Sequence, residues 1–199
     1  MATDIAQIVA RLTGFYDWND RTVVDVGAGG GQLVEYARGA RRVVAVDVDA
    51  AAVERLAVRV RALGLDERFA LLTEDFLAVR PTGDVVLFEF CLHQMPDPGR
   101  ALGHALELAP EVVVIDHAEE SRWSWLAGED EMVRAAWAAV AKRRVRRRET
   151  VEGWQRFRDF DELAARLAAQ GPTSRARIEA LRGPSDIEIP MPYELVLAS

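Results

Sequence analysis

The sequence predicts an α/β fold, a three-layer sandwich with helices on both faces of a mostly parallel sheet. Two patterns predict it. Short β-branched runs alternate with helix-forming segments through the first half of the chain, and such alternation gives parallel strands joined by right-handed crossovers. Glycines at Gly27, Gly29, Gly30 and Gly31 then follow the first of those runs, where a tight turn and close approach of backbone to ligand require them.

Residues 22–26 (TVVDV) form a β-branched run ending in glycines, which predicts a buried strand. Residues 32–38 follow as a helix, and 42–47 (RVVAVD) as a second buried strand. The Ala-rich stretch 50–63 predicts a helix stopped by Gly64. Strands are expected at 69–72, 84–90 and 111–116, with a helix at 100–109 ended by Pro110. Beyond them the character changes. One long helix is expected over 129–145, and another over 161–170, stopped by Gly171 and Pro172. Two strand-like pieces at 176–181 and 193–198 are close enough to pair as antiparallel neighbours. These elements divide a single domain into an N-terminal helix or lid (1–20), a core (21–118), a helical cap (119–172) and a terminal strand pair (173–199).

Composition narrows the class of function. The 199 residues carry 25 Lys and Arg against 32 Asp and Glu, a net charge of −7. That balance weighs against a nucleic-acid binder, which needs a basic face. The chain is half hydrophobic, enough to bury a full core. No segment approaches the ~20 apolar residues of a membrane span, and residues 1–11 lack the pattern of a secretory signal. The only cysteine is Cys91, which leaves no intramolecular disulfide and no cysteine cluster for a metal. A cytoplasmic location is expected.

The glycine loop has an acidic partner. Asp47 ends the second strand, 20 positions after Gly27, and a carboxylate there accepts hydrogen bonds from both hydroxyls of a ribose. The third glycine of a dinucleotide fingerprint would fall at Gln32, and Gly-Lys-Ser/Thr is absent, so neither a dinucleotide nor a phosphate loop fits. What remains is Asp25-x-Gly27-x-Gly29-x-Gly31, which resembles the first motif of the class I S-adenosylmethionine-dependent methyltransferases. Glu74-Asp75-Phe76 after the third strand is similar to the family's adenine-binding acid. The stretch 84–98 (DVVLFEFCLHQMPDP) is similar to its fourth-strand motif, with Gln94 in place of a second histidine.

The resemblance implies a Rossmann-like, seven-stranded sheet with an antiparallel last strand and a helical cap. It implies S-adenosylmethionine as cofactor, with contacts from Asp25, Gly27, Ala28, Gly29, Gly31, Asp47, Val48, Asp75, Phe76, Phe88 and Tyr16. It also implies an aromatic-lined acceptor pocket, for which Tyr16, Trp123, Trp125 and His117 are candidates. His93, just past the fourth strand, is the candidate catalytic residue, orienting the acceptor or taking its proton. Cys91 is expected to be packing and His104 to lie at the surface. The basic run 142–148 (KRRVRRR) is expected as the solvated end of the helix that Glu129-Asp130-Glu131 opens. The expected activity is methyl transfer to a small molecule. Transfer to RNA or protein, or a non-catalytic cofactor binder, are the alternatives.

Overall fold

The computed structural model describes residues 2–3 and 5–199. In chain order the strands are β1 (Ala2–Thr3), β2 (Thr22–Val26), β3 (Arg42–Asp47), β4 (Phe69–Thr73), β5 (Val85–Glu89), β6 (Glu111–His117), β7 (Val145–Val151), β8 (Trp154–Phe157), β9 (Ile187–Pro190) and β10 (Tyr193–Ala198). The helices are α1 (Ile5–Phe15), α2 (Ala50–Ala62), α3 (Pro98–Leu108), α4 (Arg122–Ala127), α5 (Asp130–Val140), α6 (Phe160–Arg166) and α7 (Gly171–Ile178). Seven strands form one sheet in the order β4-β3-β2-β5-β6-β10-β7. Pairing is parallel from β4 through to β6, while β10 runs antiparallel to both β6 and β7. This is the Rossmann-like sheet with a reversed last strand that the sequence predicts.

The layers follow from period-two burial. Val23, Val43, Ala45, Val85, Leu87, Val113 and Ile115 meet α1, α2 and the cap on one face. Val24, Val26, Val44, Val46, Val86, Phe88, Val112 and Val114 meet α3 and α5 on the other. A second, three-stranded antiparallel sheet, β1-β8-β9, joins the cap strand β8 to the N-terminal β1 and to β9 near the C-terminus. Among the described residues no helix is long and apolar enough to cross a membrane.

Five expectations are corrected. Only a 3₁₀ turn, Val34–Arg38, replaces the helix expected at 32–38. Three positive-φ glycines precede it, and this turn buries Leu33, Val34, Tyr36 and Ala37 while leaving Gln32 and Arg38 exposed. The helix expected over 129–145 ends at Val140, and 145–151 form β7 instead. Pairing along the open edge of β10 overrides the helical preference of arginine. The expected strand at 176–181 is the end of α7 and a 3₁₀ turn. Pro172 starts α7 rather than stopping α6, because proline is at home in a helix's first turn. The terminal antiparallel pair is therefore β7 with β10. Finally His104 is buried, with its Nε2 3.0 Å from the Val79 carbonyl and its ring 4.8 Å from that of Phe76.

Candidate active site

The glycine loop leaves β2 and crosses the carboxyl ends of the parallel strands, where open α/β sheets bind ligands. Gly27, Gly29 and Gly31 have φ of 70°, 52° and 77°. A Cβ on Gly27 would lie 2.5 Å from the Cβ of Cys91, and one on Gly31 would lie 2.7 Å from Leu56 Cδ1. The loop is thus pressed against the turn after β5 and against α2. Asp47 fixes it from the neighbouring strand: Oδ2 accepts from Gly29 N at 3.0 Å, and Oδ1 from Asp49 N at 2.9 Å. Val48 beside it is 73% exposed, and Ala28 is buried. Asp75 caps its turn through Leu77 N at 2.8 Å and keeps an exposed carboxylate.

Beneath the loop lie two buried acids. Asp25 Oδ2 accepts from the Tyr36 hydroxyl at 2.7 Å, while Oδ1 has no partner. Glu89 ends β5, is also buried, and leaves Oε1 without a partner. Burial foremost pushes the Asp25 carboxyl up to about 7, against the pull of the Tyr36 bond and with help from the Asp47 charge. Burial and then the Asp25 charge push Glu89 well above the usual carboxylate range. Burial keeps both carboxyls protonated to higher pH than usual, and a cation arriving there would draw a proton off. Glu89 was not among the expected site residues. Its signal was an acid interrupting the apolar run of β5.

A cavity of about 650 Å³ opens beside the loop. It is bounded by Gln32 and Leu33, by Phe90 and His93 after β5, by His117 at the end of β6, and by Trp123, Gln155, Arg166 and Met191 of the cap. Phe90 is the second residue not anticipated. It holds φ of 49° with its ring 5.1 Å from that of His117, and strained backbone of this kind is concentrated at functional sites.

His93 and His117 line this cavity in opposite charge states. His93 is 2% exposed. Its Nδ1 donates to Asp116 Oδ1 at 2.6 Å, and Nε2 faces Glu129 Oε2 at 3.7 Å. Asp116 also accepts from the backbone N of His93 at 3.1 Å and of His117 at 2.8 Å. Burial opposes the imidazolium, but the two flanking carboxylates outweigh it and raise His93 to about 9. Burial dominates for His117, lowers it to about 4, and leaves Nδ1 without a partner. At neutral pH His93 is a held cation and His117 a neutral ring. Burial also pushes the Cys91 thiol up, and its Sγ donates to the Val26 carbonyl at 3.1 Å, so Cys91 is packing.

Several expected contacts fall elsewhere. Tyr16 donates to Glu111 Oε2 at 2.5 Å. Glu111 starts β6, so Tyr16 lies at the amino ends of the strands, away from both loop and cavity. Trp125 is two residues from Trp123 on a short helix, which turns it to a different face. Its ring is held by the guanidinium groups of Arg122 at 3.9 Å and Arg177 at 4.6 Å. The side chains of Phe76 and Phe88 pack on each other at 5.5 Å within the core.

Residues 23–120 match the family described as a methyltransferase domain. No curated protein matches the chain by sequence. Among solved structures, the YcgJ protein from Bacillus subtilis superposes with a TM-score of 0.68 at 12% identity, over 97% of each chain. A SAM-dependent methyltransferase from Aquifex aeolicus gives 0.62 at 19% identity, over 98% of this chain and 89% of that one. The [4+2]-cyclase SpnF gives 0.61 at 19% identity, over 98% and 78%. At these identities the likeness is one of fold.

Proposed function

From the class I methyltransferase domain that the chain carries, we propose that it is an S-adenosylmethionine-dependent enzyme methylating a small molecule held in the cavity between sheet and cap. The observation that carries the reading is the cavity itself: lined by Phe90, His117 and Trp123, it adjoins the glycine loop and has the volume of a small acceptor. The residues present fit the cofactor. Gly27, Gly29 and Gly31 give the loop the positive-φ turn that a backbone cradle needs, and Asp47 stands beside it where a ribose would be bound. The unpartnered oxygens of Asp25 and Glu89 suit a cationic amino acid moiety. Exposed Val48 and Asp75 offer an apolar surface and an acceptor for a base.

When bound, the cofactor supplies a methyl group activated by sulfonium. The protein's own work is then to align an acceptor and exclude water. Phe90, Trp123 and Met191 offer the acceptor an apolar wall. His93, held by Asp116 and Glu129, positions the acceptor as a cationic donor rather than as a base, because its proton is retained up to about 9. His117, neutral, is the group able to accept a hydrogen bond.

Transfer to RNA has less support, because the basic run is internally paired. Arg146 pairs with Glu111, Arg147 with Glu149 and Arg148 with Glu194. The test is thermal unfolding with S-adenosylmethionine, S-adenosylhomocysteine or NAD. Either adenosyl ligand at a hundred times its Kd adds ~2.7 kcal/mol, and Asp47→Ala weakens that gain. A shift with NAD alone overturns the reading.

A further inference from the structure

We propose that the acceptor is a small carboxylic acid whose carboxylate is held by Arg166 on the cap wall of the cavity. The inference rests on the methyltransferase reading and deepens it. Three ionisable side chains line the cavity as charges: His93, Glu129 and Arg166. The first two face each other, and Asp116 bonds the far nitrogen of His93. Arg166 alone is uncommitted. No carboxylate among the described residues lies within ion-pair distance of it, and its one aromatic contact places the guanidinium carbon 5.8 Å from the Trp123 ring centroid. Arg177 and Arg156, by contrast, are tied down. Arg177 pairs with Asp130 at 2.7 Å and Arg156 with Glu188 at 2.7 Å.

The chemistry of this pairing is specific. A guanidinium offers a planar fork of donors that matches one carboxylate in two parallel hydrogen bonds. One such fork balances a monoanion. A phosphate dianion would need further cations, and the nearby Glu129 would repel it. The rest of the wall mixes apolar and aromatic side chains, Ile8, Phe90, Trp123 and Met191, with the amides of Gln32, Gln94 and Gln170, which suits a small body carrying both a hydrocarbon part and polar groups. Arg166 closes α6 in the cap, whereas His93 and His117 stand at the ends of the sheet strands. An acid anchored on Arg166 therefore extends its other end toward the glycine loop, where a methyl donor would lie.

Calorimetry on the full chain tests this, with benzoate, phenylacetate and 4-hydroxyphenylacetate against their methyl esters and benzylamine, each with and without saturating S-adenosylhomocysteine. The acids are expected to bind at least tenfold more tightly than the esters. Arg166→Gln should remove that preference, Arg166→Lys should retain part of it, and both should bind S-adenosylhomocysteine as the wild type does. Esters binding as well as acids, benzylamine binding best, or acid affinity unchanged in Arg166→Gln would each overturn the proposal. A protein that takes S-adenosylhomocysteine but none of the acids loses the anion site and keeps the methyltransferase reading. One that takes the acids but no adenosyl ligand keeps the anion site and loses that reading.

Discussion

His93 Nδ1 lies 2.6 Å from Asp116 Oδ1, and both side chains are 1% exposed. A charged hydrogen bond at this depth is screened little by solvent. It ties the turn after β5 to the end of β6, and Glu129 on the far side of the ring ties both to the start of α5. The cavity floor is therefore built around a cation, and its pH behaviour follows.

The folded pKa of His93, about 9, stands above the ordinary 6.5. Its contribution to stability is thus fully present below 6.5 and is lost as pH rises through 9. The pH-dependent part of that contribution is ~3 kcal/mol, at ~1.4 kcal/mol per pKa unit. His93→Gln should accordingly cost most near pH 6, and the cost should shrink toward pH 9. Urea unfolding of both proteins across that range measures it. In turnover, the wild type should show a falling limb near pH 9 that the variant lacks. A rising limb near 6.5 that vanishes in His93→Gln would instead make His93 a base.

The glycine loop gives a packing prediction. At Gly27, φ of 70° is strained for any side chain, and a new Cβ would meet Cys91 Cβ at 2.5 Å and Sγ at 2.6 Å. Gly27→Ala should destabilise by more than ~2 kcal/mol, since backbone strain alone costs of order 1–3. Cys91→Gly on that background should recover the steric share only. A Gly27→Ala protein within ~0.5 kcal/mol of wild type, the range of ordinary surface substitutions, would mean that loop and turn are not in contact.

The run 145–151 has a signature that separates strand from helix. As the edge of the sheet, β7 is paired on one side only, by β10. Alternate amides should therefore exchange quickly with solvent, whereas a helix would protect them in sequence. Arg146→Gln, Arg147→Gln and Arg148→Gln should each cost under ~1 kcal/mol, as exposed ion pairs do, and leave S-adenosylhomocysteine affinity unchanged. Salt-sensitive RNA binding lost in the triple variant would favour a polynucleotide acceptor.

Where the sequence spoke clearly, burial was two-sided or turns were glycine-bound. The strands β2, β3, β5 and β6 are continuous apolar runs, and Gly27 to Gly31 can adopt conformations closed to other residues. The positions of Asp47, at the end of β3, and of His93, in the turn after β5, were legible because those strands are. The cap was not legible, because its structure is decided by partners distant in sequence. Val145 to Val151 is a strand only because β10 has a free edge, and Trp123 and Trp125 differ only by helix face. Tyr16 was misplaced for the same reason: its anchor, Glu111, is 95 residues away. Glu89 escaped notice because nothing local shows that β5 lies beside β2 and its buried Asp25.

Asp25 and Glu89 also make ligand binding depend on pH. Asp25 is raised to about 7 from an ordinary 3.8, chiefly by burial. In the ligand-free protein its ionisation therefore opposes folding, and stability from this group falls as pH rises from 3.8 through 7. A cationic ligand reverses the balance by favouring the ionised pair. Binding of S-adenosylmethionine should then release protons near neutral pH, and its Kd should rise ~10-fold per unit as pH falls below 7, the slope of one linked proton. Calorimetry in phosphate and in Tris measures the release directly, because the two buffers differ in ionisation enthalpy. Glu89→Gln removes one acid and should flatten the pH dependence while weakening binding. Identical heats in both buffers, with a Kd unchanged between pH 6 and 8, would mean that neither carboxylate meets the cation.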